Sequence, residues 1–196
     1  MVEQTDRGLE EITRICRKTG HLMAESLWEY WPTNNGNEMA EKNISLHFGV
    51  ALWEAGYRLF AEAHPENETQ KHLDLFAFNP DSGNKVFCEF KRTWNDNSFR
   101  LVKNDTQRVR DFRPRIELQG NEYGLIACTT WNVNIVEWWN ASPESEVNET
   151  KDMNIFYRDL VPHNPRWGHV QIQADNNARE KLTGTHHFLY CAFRIR

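Results

Sequence analysis

The sequence has little of what marks several large classes of protein. It holds only 10 glycines and 7 prolines among 196 residues, and its 39% hydrophobic and 12% aromatic content excludes a collagen-like or wholly disordered chain. No apolar run approaches the ~18 residues that cross a bilayer, so we expect no membrane-spanning segment. The first residues are polar and acidic, without the apolar stretch of a secretory signal, so we expect a cytoplasmic protein.

Cysteines are few and far apart. Cys16, Cys88, Cys128 and Cys191 lie among apolar residues, and the sequence has no Cys-x-x-Cys pair. We therefore expect reduced thiols packed in a core rather than a disulfide or zinc framework. The formal net charge of −5 argues against a protein that simply coats nucleic acid.

What is present is a succession of helix and strand patterns. The length favours a single domain over 1–196, with an N-terminal helix (5–31), a core (37–131) and a C-terminal elaboration (132–196). Apolar spacing predicts helices over 5–30, 37–55, 104–118 and 132–140, the third ended or kinked by Pro114. Strands are predicted over 57–64, 72–78, 85–94, 123–131, 169–173 and 186–194. The acidic residues 141–152 predict an exposed loop.

The strongest local signal is a hairpin whose register brings two acidic residues together. Turn-forming residues fill 79–84, and pairing Phe78 with Lys85 across them places Asp74 opposite Glu89, with Cβ atoms ~5 Å apart. Like charges so placed destabilise a sheet unless one carboxyl group is protonated or a divalent cation lies between them. Two carboxylates with room for water and phosphate suit Mg²⁺ or Mn²⁺.

Two further residues fit this hydrolytic chemistry. Lys91 follows Glu89 by two residues and so shares its face, where an ammonium group can hold a water or neutralise a phosphate in the transition state. Glu41 lies on the apolar stripe of the helix predicted over 37–55, and a carboxylate on a buried stripe requires a partner. The pattern indicates a metal-assisted phosphodiester hydrolase.

This arrangement resembles the PD-(D/E)xK nuclease superfamily, also called restriction-endonuclease-like. The resemblance rests on Glu41 on a helix, Asp74 on a strand and Glu89-Phe90-Lys91 on the paired strand. The element order also matches the core of that family: helix, strand, Asp-bearing strand, ExK-bearing strand, helix, strand. The resemblance covers roughly residues 37–131.

The resemblance implies an α/β fold, with a mixed central β-sheet flanked by helices, and Mg²⁺- or Mn²⁺-dependent cleavage of DNA. It implies that Asp74 and Glu89 ligate the metal and that the main-chain carbonyl of Phe90 is a further ligand. By the same resemblance, Lys91 helps to activate the attacking water, and Glu41 binds the metal directly or through water.

A basic segment follows the ExK-bearing strand. Residues 91–115 contain eight Lys and Arg side chains against three Asp, in a chain whose total charge is negative. We interpret the segment as a phosphate-contacting surface, while an ordinary solvated helix face would have the same composition. The candidate nucleic-acid-binding residues are Arg92, Arg100, Lys103, Gln107, Arg108 and Arg110.

Two other interpretations stay open at this point. A non-catalytic module of the same fold would serve as a subunit of a DNA-processing or defence complex and need not bind Mg²⁺. Alternatively, the carboxylates are solvated on an edge hairpin and the pattern is accidental. Neither a homodimer nor a complex with a protein partner is established by any residue of the sequence.

Overall fold

The computed structural model describes residues 6–29, 41–65, 72–95, 97–114, 118–140, 159–160, 163–172 and 186–196. The predicted loop over 141–152 lies outside these residues, as do the ends of the first predicted helix and the start of the second. None of the helices in the described ranges combines the length and the apolar character that crossing a membrane requires.

Four helices and six strands are interspersed along the described chain. The helices are α1 (Arg7–Glu29), α2 (Glu41–Glu54), α3 (Ser98–Asp111) and α4 (Val133–Asn140). The strands are β1 (Arg58–Ala63), β2 (Leu73–Phe78), β3 (Lys85–Arg92), β4 (Glu122–Thr130), β5 (Arg166–Ile172) and β6 (His186–Arg194). These bounds confirm the elements expected from the sequence, and most ends agree within a few residues.

The described strands form one mixed sheet in the order β1-β2-β3-β4-β6-β5. β1, β2 and β3 are antiparallel neighbours, and β3 and β4 are parallel. A parallel neighbour needs a crossover connection, which α3 supplies between β3 and β4. The chain is therefore an α/β protein with a mixed sheet flanked by helices, and α2-β1-β2-β3-α3-β4 follows the expected element order.

Each face of the sheet carries its own apolar core. α1 and α2 pack on one face, around residues such as Phe48 and Phe90. α3 and α4 pack on the other, around residues such as Phe87 and Val109. All four cysteines are buried and free, as expected. Burial of both faces explains the apolar centre of β4, from Tyr123 to Cys128, and every residue of this strand is buried.

Local sequence accounts for several element ends. The Asp6 carboxylate accepts hydrogen bonds from the backbone N–H groups of Gly8 and Leu9, at 3.0 and 3.2 Å, and so caps α1. α3 ends at Asp111, shortly before Pro114, as proline requires. Its start was predicted wrongly: the helix begins at Ser98, six residues before the expected Asn104.

Candidate active site

The candidate site lies where β2 and β3 stop pairing. The predicted register is confirmed from Phe78–Lys85 through Leu75–Cys88, but the two strands stop pairing there, so the predicted backbone pair of Asp74 with Glu89 is not formed. At the next position the Asp74 carboxylate turns towards the neighbouring backbone, and its Oδ2 accepts a 2.7 Å hydrogen bond from the N–H of Phe90. Asp74 therefore takes the place of a β2 carbonyl group and leaves the end of β3 open on this side.

Glu41 receives the next N–H group along the same edge of β3. Its Oε1 accepts a 3.0 Å hydrogen bond from the N–H of Arg92. The N–H groups of Phe90 and Arg92 are two residues apart, which is about 7 Å along a strand. The carboxylates of Asp74 and Glu41 thus lie in succession along one edge, which explains why Glu41 belongs to the stripe of α2 that meets the sheet.

Glu89 is the most deeply buried acid of the site. Its residue is 1% exposed, and neither carboxylate oxygen has a hydrogen-bond partner among the residues that the structure describes. Burial, then the charges of Asp74 and Asp105, raise the pKa of Glu89 to about 9. The Arg108 guanidinium, 3.3 Å from Glu89 Oε1, opposes this shift. Without a metal, Glu89 is therefore protonated at neutral pH, and a cation bound beside it would favour its ionised form.

Lys91 lies between two acidic side chains from different helices. Its Nζ is 3.4 Å from Asp105 Oδ2 on α3 and 3.9 Å from Glu41 Oε2 on α2. Burial by itself lowers the pKa of an ammonium group, but the surrounding carboxylates outweigh burial and raise the pKa of Lys91 above its usual value. The ammonium group therefore stays protonated and can orient a water or stabilise negative charge.

Asp105 belongs to the site, although the sequence analysis did not single it out. It is 2% exposed and forms ion pairs with both Lys91 and Arg108. Burial raises its pKa, against the effect of these two cations. The available signal was its position on the buried stripe of α3, with Val102 and Val109, which is the reasoning that selected Glu41. Because the helix was predicted to begin at Asn104, Val102 lay outside it and the stripe was not recognised.

The candidate nucleic-acid-binding residues are found in different surroundings. Arg108 points inward, where its guanidinium also donates a 3.1 Å hydrogen bond to the carbonyl of His72. Arg92 lies over the ring of Trp94, with its guanidinium carbon 5.1 Å from the ring centroid. Gln107 is exposed and donates a hydrogen bond to Asp111.

The remaining basic residues of α3 do not accompany Arg108. Helical spacing of 100° per residue places Lys103 and Arg110 on the flank of α3 away from it. The charge of Arg110 contributes to lowering the pKa of His163 on that flank. Arg100 is on α3, but its side chain lies outside the described residues. The basic segment is therefore not one continuous surface, because one of its cations is enclosed among acids.

The donor set suits a hard divalent cation. Asp74, Glu89, Asp105 and Glu41 face two cations, so the ionised cluster has a deficit equal to one divalent ion. The N–H and C=O groups of a strand residue point to the same side, so the Phe90 carbonyl faces the same edge as Asp74.

That donor set is small. Within the described residues, no three His, Cys, Asp or Glu side chains are grouped closely enough to hold a metal ion. Asp74, Glu89 and the Phe90 carbonyl would therefore share a cation with water, as is usual for Mg²⁺. Glu41, engaged by the N–H of Arg92, fits an outer position that contacts such an ion through water.

Comparison with known proteins adds no family assignment. The chain matches no protein-family model and has no significant match among curated proteins. The function of the protein is therefore inferred from the geometry of the site.

Proposed function

We propose that this protein is a divalent-metal-dependent nuclease that hydrolyses phosphodiester bonds in DNA, built on a restriction-endonuclease-like core over 37–131. One observation carries the proposal: Glu89 is a buried carboxylate without a hydrogen-bond partner among the described residues, beside Asp74 and two residues before Lys91. Arg108 approaches one of its oxygens, Oε1 at 3.3 Å, without a hydrogen bond, whereas a bound cation would satisfy both oxygens.

Each residue has a role that its position supports. Asp74, Glu89 and the Phe90 carbonyl would hold Mg²⁺ or Mn²⁺, which supplies a Lewis acid at the scissile phosphate. Lys91 orients the attacking water and stabilises negative charge as it develops on the phosphate. Glu41 holds the end of β3 through the N–H of Arg92 and keeps Lys91 in place from the side of α2.

The proposal extends to the setting of the protein. DNA is the proposed substrate and the cytoplasm the proposed location. The exposed residues of the basic segment are proposed to contact DNA phosphates away from the acidic residues of the site. A homodimer, or a complex with a protein partner, would provide a second active site for cleavage of the other strand.

Cleavage by wild-type protein and by Lys91→Ala tests this proposal. Plasmid, linear duplex and single-stranded DNA are each incubated with Mg²⁺, Mn²⁺ or EDTA. We expect metal-dependent cleavage by the wild type and a rate at least ~100-fold lower for Lys91→Ala, in line with the loss of a group that acts on the transition state. Circular dichroism shows whether the variant is folded. Unchanged cleavage by folded Lys91→Ala would contradict the assignment.

A metal titration provides a second arm that does not depend on activity. Mn²⁺ binding is measured by calorimetry for the wild type and for Glu89→Gln, which keeps the shape of the side chain and removes its charge. We expect saturable binding in the wild type and none at this site in the variant, because a neutral amide is a poor ligand for a hard cation.

A non-catalytic nucleic-acid-binding module is the second candidate. The contact between Arg108 and Glu89 favours it, because a guanidinium already provides positive charge where a metal would act. This candidate predicts DNA binding without Mn²⁺ affinity, whereas the nuclease predicts both.

A further inference from the structure

A cavity of about 770 Å³ opens between α2 and β1 and leads to the candidate active site. We call it the α2–β1 trough and define it by Leu46, Val50, Trp53, Leu59 and Ala61. Its volume is within the range of ~300–1,000 Å³ that is usual for ligand sites. The walls are apolar along α2 and β1, and they become acidic at one end.

The α2 wall of the trough is an apolar stripe that the fold leaves uncovered. Leu46, Val50 and Trp53 recur at helical spacing, and Leu46 and Trp53 are 62% and 60% exposed. The opposite stripe of α2, which includes Phe48 and Leu52, is fully buried in the core. α2 is therefore apolar on two sides, and only one of them is needed for folding.

The acidic end of the trough is the candidate active site itself. Glu41 and Asp74, the two carboxylates along the edge of β3, line the same cavity as Trp53. The stripe from Leu46 to Trp53 covers about 10 Å of helix axis, which equals about three nucleotides at 3.4 Å per step. An occupant of the stripe is thus continuous with a group bound beside Asp74.

Two cations adjoin the apolar wall of the trough. The Arg58 guanidinium lies over the Trp53 ring, with its carbon 5.6 Å from the centroid, and Lys42 lines the cavity. Four acids line the trough: Glu54 pairs with Lys18, Glu41 lies 3.9 Å from Lys91, Asp74 accepts a hydrogen bond from the N–H of Phe90, and Glu62 lies 2.7 Å from His72. Exposed aromatic and aliphatic surface beside cations is the combination that binds unpaired bases and their backbone.

We propose that the α2–β1 trough binds unpaired bases of a single-stranded nucleic acid and guides the adjoining phosphate to Asp74 and Glu89. This inference rests on the proposed nuclease function and specifies its substrate as a single strand or a locally unpaired segment. A duplex fits poorly, because its bases are stacked inside and its phosphates would lie against Leu46 and Val50. The continuity of the trough with the active site favours a nucleic acid over a protein ligand.

Binding of labelled oligonucleotides in EDTA tests the trough separately from cleavage. Fluorescence anisotropy is measured with a short oligothymidylate, its ribonucleotide counterpart oligouridylate, a strand of abasic residues, and a duplex. We expect Trp53→Ala to raise the Kd for oligothymidylate by about 10-fold or more, since base–aromatic stacking is worth ~1–3 kcal/mol per base. The abasic strand should bind the wild type and the variant equally.

Val133→Ser is the matched control. Val133 is an apolar side chain on α4, 59% exposed and outside the trough, so its replacement should leave every Kd unchanged. Equal binding of oligothymidylate by the wild type and Trp53→Ala would overturn the inference. The inference would also be overturned if Trp53→Ala weakened binding of the duplex as much as binding of oligothymidylate. It would be overturned too if Trp53→Ala lost self-association in analytical sedimentation while its binding of oligothymidylate was unchanged.

The outcomes separate this inference from the proposed function. Cleavage that needs Lys91 but is indifferent to Trp53 would refute the trough and keep the nuclease. Trp53-dependent binding without cleavage or Mn²⁺ affinity would refute the nuclease and support the trough as a single-strand site. Oligothymidylate and oligouridylate differ in the 2′-hydroxyl and in the 5-methyl group, and their relative affinities then show which of the two strands the site prefers.

Discussion

Asp105 forms ion pairs with both cations of the site. Its carboxylate contacts Lys91 from the strand that carries the acids and Arg108 from its own helix. Each of these cations also faces another carboxylate, Glu41 for Lys91 and Glu89 for Arg108. Through Asp105, the position of the proposed water-orienting group depends on α3 as well as on β3.

Asp105→Asn should therefore slow cleavage without weakening DNA binding. The amide keeps the shape of the side chain but no longer attracts Lys91, so we expect a rate ~10- to 100-fold lower with an unchanged KM. Two cations left beside a neutral group should also lower the free energy of unfolding by about 1–3 kcal/mol. Single-turnover kinetics and thermal melting measure the two effects.

The double variant Asp105→Asn, Arg108→Gln is the control for this prediction. If the loss of stability comes from unbalanced charge, removal of Arg108 recovers part of it, because contacting residues couple. Cleavage should stay slow, since Lys91 still lacks its partner. Recovery of both stability and cleavage would show that Asp105 is only structural.

At the scale of elements, the hairpin of β2 and β3 could be predicted because its determinants are local. Turn residues fix the loop, and alternation fixes which side chains share a face, so the register was predictable through Leu75–Cys88. The separation of the strands beyond this pair was not predictable. It depends on the side chains of Asp74 and Glu41, which accept hydrogen bonds from the N–H groups of β3 in place of main-chain carbonyl groups of β2, and this is a tertiary arrangement.

The loops at the other end of β3 provide a prediction about backbone conformation. Gly120 has φ of 118°, and a Cβ atom there would lie 2.1 Å from the carbonyl oxygen of Gly83. Gly120→Ala should thus destabilise the fold by about 2–4 kcal/mol, since it adds strain and a clash between backbones. Chemical denaturation measures this change.

Gly49→Ala is the matched control, with an expected effect of opposite sign. Gly49 is inside α2, and a Cβ there would meet Leu59 Cδ1 at 3.5 Å, an ordinary contact. Alanine in a helix interior is favoured over glycine by ~0.5–1 kcal/mol. If Gly120→Ala were as stable as Gly49→Ala, the loop around Gly120 would have to accommodate the added Cβ atom without a loss of stability, and the prediction would be wrong.

Across the whole molecule, chain order was easier to predict than contacts between layers. The succession of helix and strand patterns was sufficient for the α/β class, and the hairpin register brought Asp74 near Glu89, although the two strands stop pairing one residue before them. Which face of α3 meets the sheet depends on packing of both cores, and it decides that Asp105 and Arg108 enter the site. For the same reason, the basic residues of 91–115 lie in two separate places: Arg108 contacts the acids of the site, whereas Lys103 and Arg110 lie on the opposite flank of α3.

Histidines on β5 and β6 lead to a prediction of how the stability of the molecule depends on pH. His169 Nε2 lies 2.7 Å from His187 Nδ1, and His169 also contacts Asn140. Burial, then the neighbouring His169 and His186, lower the pKa of His187 from 6.5 to about 4. Burial also lowers the pKa values of His169 and His186. The folded state thus holds these rings neutral, while the unfolded chain protonates near pH 6.5.

The contribution of these histidines is therefore complete above about pH 6.5 and is lost as the pH falls towards about 4. His187→Gln removes one titrating ring, so its Tm should fall less than that of the wild type between about pH 7.5 and about pH 5. After a discount for the partial exposure of the pair, we expect a difference of about 1 kcal/mol, or ~2–4 °C. The raised pKa of Glu89 gives an opposite pH dependence that both proteins share, so it cancels in the comparison. Parallel Tm profiles would show that the two rings titrate alike in the folded and unfolded chains.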